Sequence, residues 1–237
     1  LFFMAKRMKE KFKTFHDVFD AFTNRNIYKL ITEGHFEGLI GPVSIGKESN
    51  VFQAKKKDGT KVIVKIYRLE TCDFNRMFDY IRTDPRFMEI KKNRRKVIFA
   101  WAQREYRNLL KARDAGVRVP TPYAVKNNVL VMEFIGGKEA APKLKDAVEG
   151  KKQADDVIKQ YRLLYSKAGL VHSDFSHFNI LNDNGKIVLI DLSAGTPLQD
   201  PNAKEFFERD IKTLVNFYKR HGVVLDREEV MAKIKKG

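Results

Sequence analysis

The chain has 237 residues, enough for one large domain, or for one domain built of two lobes, with a sizeable core. Lys plus Arg number 46 and Asp plus Glu 30, and the net charge of +16 favours polyanionic partners such as RNA or nucleotide phosphates while saying nothing of the fold. The single cysteine, Cys72, excludes a disulfide framework and a Cys-rich zinc module and points to a reducing, cytoplasmic setting; the longest apolar runs, 97–102 and 1–5, are far short of the roughly 20 residues that span a bilayer, so no membrane partner is expected.

From Met8, apolar residues recur at Phe12, Phe15, Phe19 and Phe22, in steps of 4, 3, 4 and 3, opposite Lys6, Lys9 and Lys13. This predicts an amphipathic helix that docks on a surface. Over 39–68 the period changes to that of strands, broken near Gly46 and again at Asp58-Gly59, which predicts three antiparallel strands ending in Val62-Ile63-Val64-Lys65-Ile66-Tyr67. Residues 69–96 hold Asp84-Pro85 and the cluster Lys91, Lys92, Arg94, Arg95, Lys96 with poor periodicity, which predicts a mobile or partner-dependent insertion. Next, Ile98, Trp101, Glu105, Leu109 and Ala112 share a helical face that ends at Gly116.

Pro120 and Pro122 break the chain before an apolar strand over 129–135 that ends at Gly136-Gly137. The polar stretch 138–152 is read as the junction of two lobes. Helices are expected over 154–168 and 202–221, with two short strands between them joined by the turn Asn182-Asp183-Asn184-Gly185. The fold class is therefore α+β, sheet-rich first and helical afterwards.

Chemistry concentrates at His172-Ser173-Asp174-Phe175-Ser176-His177-Phe178-Asn179, followed 12 residues after Asn179 by Asp191 at the end of an apolar strand. Phosphoryl transfer from ATP needs a carboxylate to take the proton of the nucleophile and oxygen ligands for Mg²⁺, and Asp174, Asn179 and Asp191 supply that set at kinase spacing. Each residue taken singly reads better as turn chemistry, and the three together at this spacing do not. A lysine inside an apolar strand needs an anion, and Glu105 is its expected partner, so that Lys65 holds phosphates while Glu105 orients it; alone, Lys65 also reads as an edge lysine with its head in water. Ser44, Gly46 and Lys47 lie in a one-glycine segment between two strands that is neither a Walker A sequence nor a three-glycine kinase loop; taken by itself it reads as a turn, with N–H groups and the Ser44 hydroxyl able to contact phosphates. The spacing of His172 and His177 is not that of a helical metal pair, which favours a structural or loop-orienting role.

Ser44-Ile45-Gly46-Lys47-Glu48-Ser49-Asn50-Val51-Phe52, Val64-Lys65-Ile66-Tyr67, the stretch from His172 through Asn179-Ile180-Leu181, and Leu189-Ile190-Asp191 together resemble the RIO family of atypical serine/threonine protein kinases, in the subgroup without a winged-helix domain. The resemblance implies a trimmed two-lobe kinase fold: a helical extension over 1–37, an N-lobe with the basic insertion and hinge over 38–137, and a C-lobe over 138–237. It implies ATP with Mg²⁺ or Mn²⁺ as cofactors, adenine held by backbone atoms of Glu133 and Ile135 beside Met132, Asp174 as base, Asn179 and Asp191 as metal ligands, and Lys65 as phosphate clamp. Asp191 would also be phosphorylated in an ATPase cycle. Small ribosomal subunit maturation, with a pre-ribosomal particle or rRNA as partner and the chain itself as autophosphorylation substrate, follows from the same resemblance.

Three departures from ordinary kinases stand out. Ser173 replaces the usual Arg, Leu192-Ser193 replaces Phe-Gly, and no Ala-Pro-Glu follows, so a phosphorylated activation segment is not expected. His177-Phe178 stand where the family more often has Glu-Tyr. Asp210 reads as an exposed helix carboxylate, with bracing of the catalytic loop as the alternative. Two other functions fit the motifs: a small-molecule phosphotransferase of the aminoglycoside-kinase kind, and a nucleotide-binding assembly factor.

Overall fold

The structure is a computed structural model that describes residues 19–236. Most of the phenylalanine stripe expected from Met8 lies outside these residues. Its last members are seen: Phe19 packs edge-on against Phe52, and Phe22 stacks on Phe99 with centroids 5.4 Å apart. Asp20 caps the first helix, α1 (Ala21–Thr32), by accepting from the Phe22 and Thr23 amides.

Five strands make one antiparallel sheet in the order β1-β2-β3-β5-β4: β1 (Gly38–Ile45), β2 (Ser49–Lys55), β3 (Lys61–Tyr67), β4 (Pro122–Lys126) and β5 (Val129–Glu133). β3 is central and buried beyond Lys61, and its alternation divides the lobe. Val62, Val64 and Ile66 pack with Ile27 and Leu30 of α1, whereas Ile63, Lys65 and Tyr67 point the other way. Pro122, expected to interrupt the chain, opens β4, an edge strand that tolerates a missing N–H.

The expectation for 69–96 is corrected. Phe74–Thr83 forms a helix, α2, capped by Asp73, and its Met77 and Ile81 are buried with Phe87, Val97, Ile98 and Trp101. The short apolar period, two buried positions four residues apart, is too brief to stand out among the surrounding charges. Lys91, Lys92, Arg94, Arg95 and Lys96 remain exposed, and Asn93 caps the long helix α3 (Arg94–Asp114).

The remaining helices are α4 (Lys151–Ser166), α5 (Ala203–Arg220) and α6 (Arg227–Lys235). They pack around a core that includes Val157, Tyr161, Leu164, Phe207, Ile211, Leu214 and Ile234. Two small antiparallel pairs sit on this core: β6 (Leu170–Val171) with β9 (Thr196–Pro197), and β7 (Ile180–Asp183) with β8 (Lys186–Leu189). Asn184 and Gly185 both have positive φ, as the two-residue β7–β8 turn requires. In the stretch 138–152 a 3₁₀ turn buries Leu144 completely, and Lys143 bridges to Leu181.

Candidate active site

A cleft of about 400 Å³ opens between the sheet and the helical part of the chain. Its roof is the β1–β2 turn, where Ser44, Gly46 and Lys47 lie together with Glu48. Its rear is Met132, Glu133 and Ile135, and its floor holds Asn179 and Asp191. Lys65 and Glu105 line it from inside. Asp174 is not on the wall itself but is tied to it, since the Asn179 amide donates to the Asp174 carbonyl at 2.9 Å and to its carboxylate at 3.2 Å.

Lys65 is the centre of this arrangement. Its register in β3, opposite Val51 and Leu130, directs it toward α3, where its Nζ donates to Glu105 Oε1 at 2.9 Å. The same Nζ donates to Asp191 Oδ1, also at 2.9 Å. The edge-lysine alternative is therefore excluded. Burial alone would lower the Lys65 ammonium, but Asp191 and Glu105 outweigh it and hold the group protonated above its ordinary value. Withdrawal from water likewise raises the Asp191 carboxyl, and the Lys65 ammonium and Ser193 hydroxyl overcome this to hold it at about 2.

Backbone geometry aims the two acidic loops. Asp191 has φ 59° and Ser173 φ 67°, left-handed conformations that cost an ordinary residue about 1 kcal/mol or more and persist only where neighbours fix them. For Ser173 the fixing group is Asp210, whose Oδ2 accepts from the Ser173 amide at 2.8 Å and whose Oδ1 accepts from the Phe175 amide at 3.1 Å. Tyr161 donates to the same carboxylate at 2.8 Å, and Arg209 donates to the Ser173 carbonyl at 2.6 Å. Asp210 is 1 % exposed, so its reading as an exposed helix carboxylate is overturned; one turn of helix hides which face meets a distant loop. His172 is buried, with Nε2 3.1 Å from the Ile190 carbonyl, and His177 stacks on Phe217 at 4.7 Å. Both histidines thus pack against structure.

Several participants carried no signal in the sequence. The Tyr67 hydroxyl donates to Glu105 Oε2, and the Ser193 hydroxyl donates to Asp191 Oδ1 at 2.7 Å. Arg76 of α2 lies 3.4 Å from Glu48 and 3.6 Å from Asp174 across the mouth of the cleft. At the rear, Arg118 forms a two-pronged pair with Glu133 at 2.8 and 2.9 Å, and Thr121 donates to the same carboxylate. Burial would raise the Glu133 carboxyl, but these donors hold it at about 2. Gly136, just beyond, has φ 130°, and a Cβ there would lie 2.3 Å from the Glu139 carbonyl, so only glycine fits.

The donors facing one another on the floor are oxygens from an amide and carboxylates, with no thiol or imidazole among them. That set suits a hard, largely hydrated divalent ion completed by phosphate oxygens. Among the described residues no three His, Cys, Asp or Glu side chains form a self-sufficient metal cage, and Mg²⁺ seldom requires one.

Comparison with known proteins places the chain in a family and a fold. Residues 50–231 match the model of the RIO domain. The RIO-type serine/threonine-protein kinase Rio1 of Haloferax volcanii is 42 % identical over 231 residues, covering 97 % of this chain and 80 % of that one. Rio1 of Methanocaldococcus jannaschii is 38 % identical over 221 residues, 92 % of this chain and 76 % of that one. The Rio2 kinase of Chaetomium thermophilum, solved as an ADP/Mg²⁺-phosphoaspartate complex, superposes with a TM-score of 0.67 at 20 % identity, covering 90 % of this chain and 66 % of that one. That likeness shows a shared fold: antiparallel sheet above, helices below, cleft between.

Proposed function

The chain belongs to the RIO family of atypical serine/threonine protein kinases, and we propose that it uses Mg²⁺-bound ATP to phosphorylate a hydroxyl, and in addition hydrolyses ATP, on a ribosomal assembly intermediate. The observation that carries the reading is the Lys65 ammonium held between Glu105 and Asp191, 2.9 Å from each. The three groups together carry a net negative charge, so they suit a divalent cation first; with Asp191 turned to that ion, the Lys65 ammonium, still held by Glu105, would be free for phosphate oxygens at the cleft.

The residues divide the work. The Glu133 carbonyl and Ile135 amide hold the adenine edge against Met132, with Arg118 fixing the hinge side chain. Ser44, Gly46 and Lys47 cover the phosphates from above. Lys65 binds phosphate oxygens while Glu105 and Tyr67 keep its head in place. Asn179 and Asp191 would hold the Mg²⁺, which when bound neutralises charge on the β- and γ-phosphates. Asp174 accepts the proton of the attacking hydroxyl; the oxygen–γ-phosphorus bond forms, the bond to the β–γ bridging oxygen breaks, and ADP leaves. In the hydrolytic cycle an Asp191 oxygen takes the γ-phosphoryl group, ADP departs, and water then releases inorganic phosphate. The exposed cations at 91–96 and the net charge of +16 supply contacts to RNA phosphates.

Incubation with γ-labelled ATP and Mg²⁺ and no other substrate tests the reading. Label is expected on the protein, together with released phosphate. Unlabelled protein combined with efficient transfer to a small alcohol would establish a small-molecule phosphotransferase instead. Tight nucleotide binding with neither transfer nor hydrolysis would leave a nucleotide-binding assembly factor.

A further inference from the structure

Behind the cleft lies a buried charge cluster that the proposed chemistry does not use. Asp84, at the C-terminal end of α2, and Arg104 and Asn108, on α3, are all completely buried. Arg104 Nε donates to Asp84 Oδ2 at 3.0 Å, and Arg86 clasps the same carboxylate through Nε and Nη2 at 2.9 and 2.6 Å. Burying such a pair is costly, and an apolar substitute of similar volume often serves stability as well or better. Its retention calls for another reason, and the other ends of these side chains supply one.

Arg104 Nη1 donates to the Ser193 carbonyl at 3.1 Å, and Nη2 reaches Thr196 Oγ1 at 3.3 Å. Asn108 Nδ2 donates to the carbonyls of both Leu192 and Gly195 at 2.8 Å, while Arg86 holds the Asn108 amide oxygen at 2.9 Å. A Cβ on Gly195 would come within 2.8 Å of Asn108 Nδ2, so the glycine permits this approach. Three carbonyls of the short turn after Asp191 are thus gripped from α3. Ser193, in that turn, donates its hydroxyl to Asp191. Where a conventional kinase orders this region through an activation segment, this chain has a two-residue strand pair and side chains from the insertion corner.

We propose that Asp84, Arg104 and Asn108 form a positioning relay that holds Asp191 in its working geometry through the turn 192–195, so that the corner after α2 governs phosphoryl transfer without touching nucleotide. Asp84 and Arg86 set the direction of the Arg104 and Asn108 donors; these fix the turn; the turn fixes the Ser193 hydroxyl and the left-handed backbone at Asp191. Displacing this corner would release Asp191 from outside the cleft. The relay rests on the reading of Asp191 as a Mg²⁺ ligand.

The test is calorimetric titration of the full chain with ADP, with and without Mg²⁺, alongside steady-state ATP turnover and thermal midpoint. Residues that orient metal ligands typically change metal affinity 10- to 100-fold when replaced. Arg104→Lys, which keeps a cation beside Asp84 but loses the fork, should cut the Mg²⁺-dependent gain in ADP affinity about tenfold. The Mg²⁺-free ADP affinity should stay within about twofold, and kcat should fall more than KM rises. Ser193→Ala, which removes one hydroxyl and keeps the turn backbone, should cut the same gain about tenfold and decides the matter if Arg104→Lys does not fold. A Mg²⁺-dependent gain equal to that of the unaltered protein in both folded variants, or in Ser193→Ala alone where only it folds, overturns the relay. So does loss of Mg²⁺-free and Mg²⁺-dependent affinity in equal measure, the pattern of a purely structural defect. An unaltered protein whose ADP affinity ignores Mg²⁺ would instead overturn the metal-ligand reading of Asp191, and the relay with it.

Discussion

Lys65 and Asp191 are 126 positions apart in the chain, and their Nζ and Oδ1 atoms are 2.9 Å apart in the fold. The contact joins the central strand of the sheet to the loop after β8, and the Lys65 ammonium is shared with Glu105. Replacing Lys65 by Met would remove the proposed phosphate contact and leave the buried Glu105 carboxylate without its cation, with the Tyr67 hydroxyl still donating to it. We expect ATP turnover to fall at least about 100-fold, and stability to fall by about 3 kcal/mol in urea unfolding. Glu105→Leu added to Lys65→Met should restore most of that stability and none of the activity, separating the two roles.

Asp210 should matter to both fold and rate. Its two oxygens accept from Tyr161, Ser173 and Phe175, and Asn would keep only one acceptor. Asp210→Asn is expected to cost about 2–4 kcal/mol and to depress kcat more than it raises KM, because Asp174 follows directly on the released Ser173. Equal kcat in a stably folded variant would contradict the bracing role.

This residue also marks where the sequence was and was not legible. The strands at 39–68, the long helix with Glu105 and the Asp174, Asn179, Asp191 constellation were readable because each depends on local period or fixed spacing. The pairing of Lys65 with Glu105 was readable too, since a lysine within Val62-Ile63-Val64 and a carboxylate among apolar helix positions each demand a partner. What could not be read are contacts made by ordinary polar residues after long chain reversals. Arg118 to Glu133 and Arg104 to the Ser193 carbonyl involve residue types that are usually exposed, and for the same reason the bracing by Asp210 stood in the sequence as the second of two readings. α2 was missed because charges and Asp84-Pro85 dominate a helix with only two buried positions.

Glu133 predicts an acid-labile hinge. Its carboxyl sits at about 2 in the folded chain against an ordinary 4.5, so the stabilisation is complete above the ordinary value and disappears as pH falls from about 4.5 to about 2. Between pH 5 and pH 3 the unaltered protein should lose about 1 kcal/mol more than Glu133→Gln, after allowing for screening of a partly exposed pair. Parallel losses in urea unfolding would show that Arg118 and Thr121 do not hold the charge.

The proposed binding to RNA should be electrostatic in character. The exposed cations Lys91, Lys92, Arg94, Arg95 and Lys96 lie outside the nucleotide cleft. If they contact phosphates, neutralising three of them should reduce the slope of log affinity against log salt by about 2–3 and leave ATP turnover unchanged. An unchanged slope would remove these cations from the proposed RNA contact.

The proposed chemistry requires side chains from the sheet and from the helical lobe to converge on one triphosphate. Its most direct test is Mg²⁺-dependent γ-phosphoryl transfer and hydrolysis from labelled ATP, comparing the unaltered chain with Asp174→Asn and Asp191→Ala. We expect Asp174→Asn to bind ATP normally and transfer to hydroxyls about 100-fold or more slowly. Asp191→Ala should lose both transfer and hydrolysis together with all dependence on Mg²⁺. Mg²⁺-dependent turnover undiminished in Asp191→Ala would contradict it.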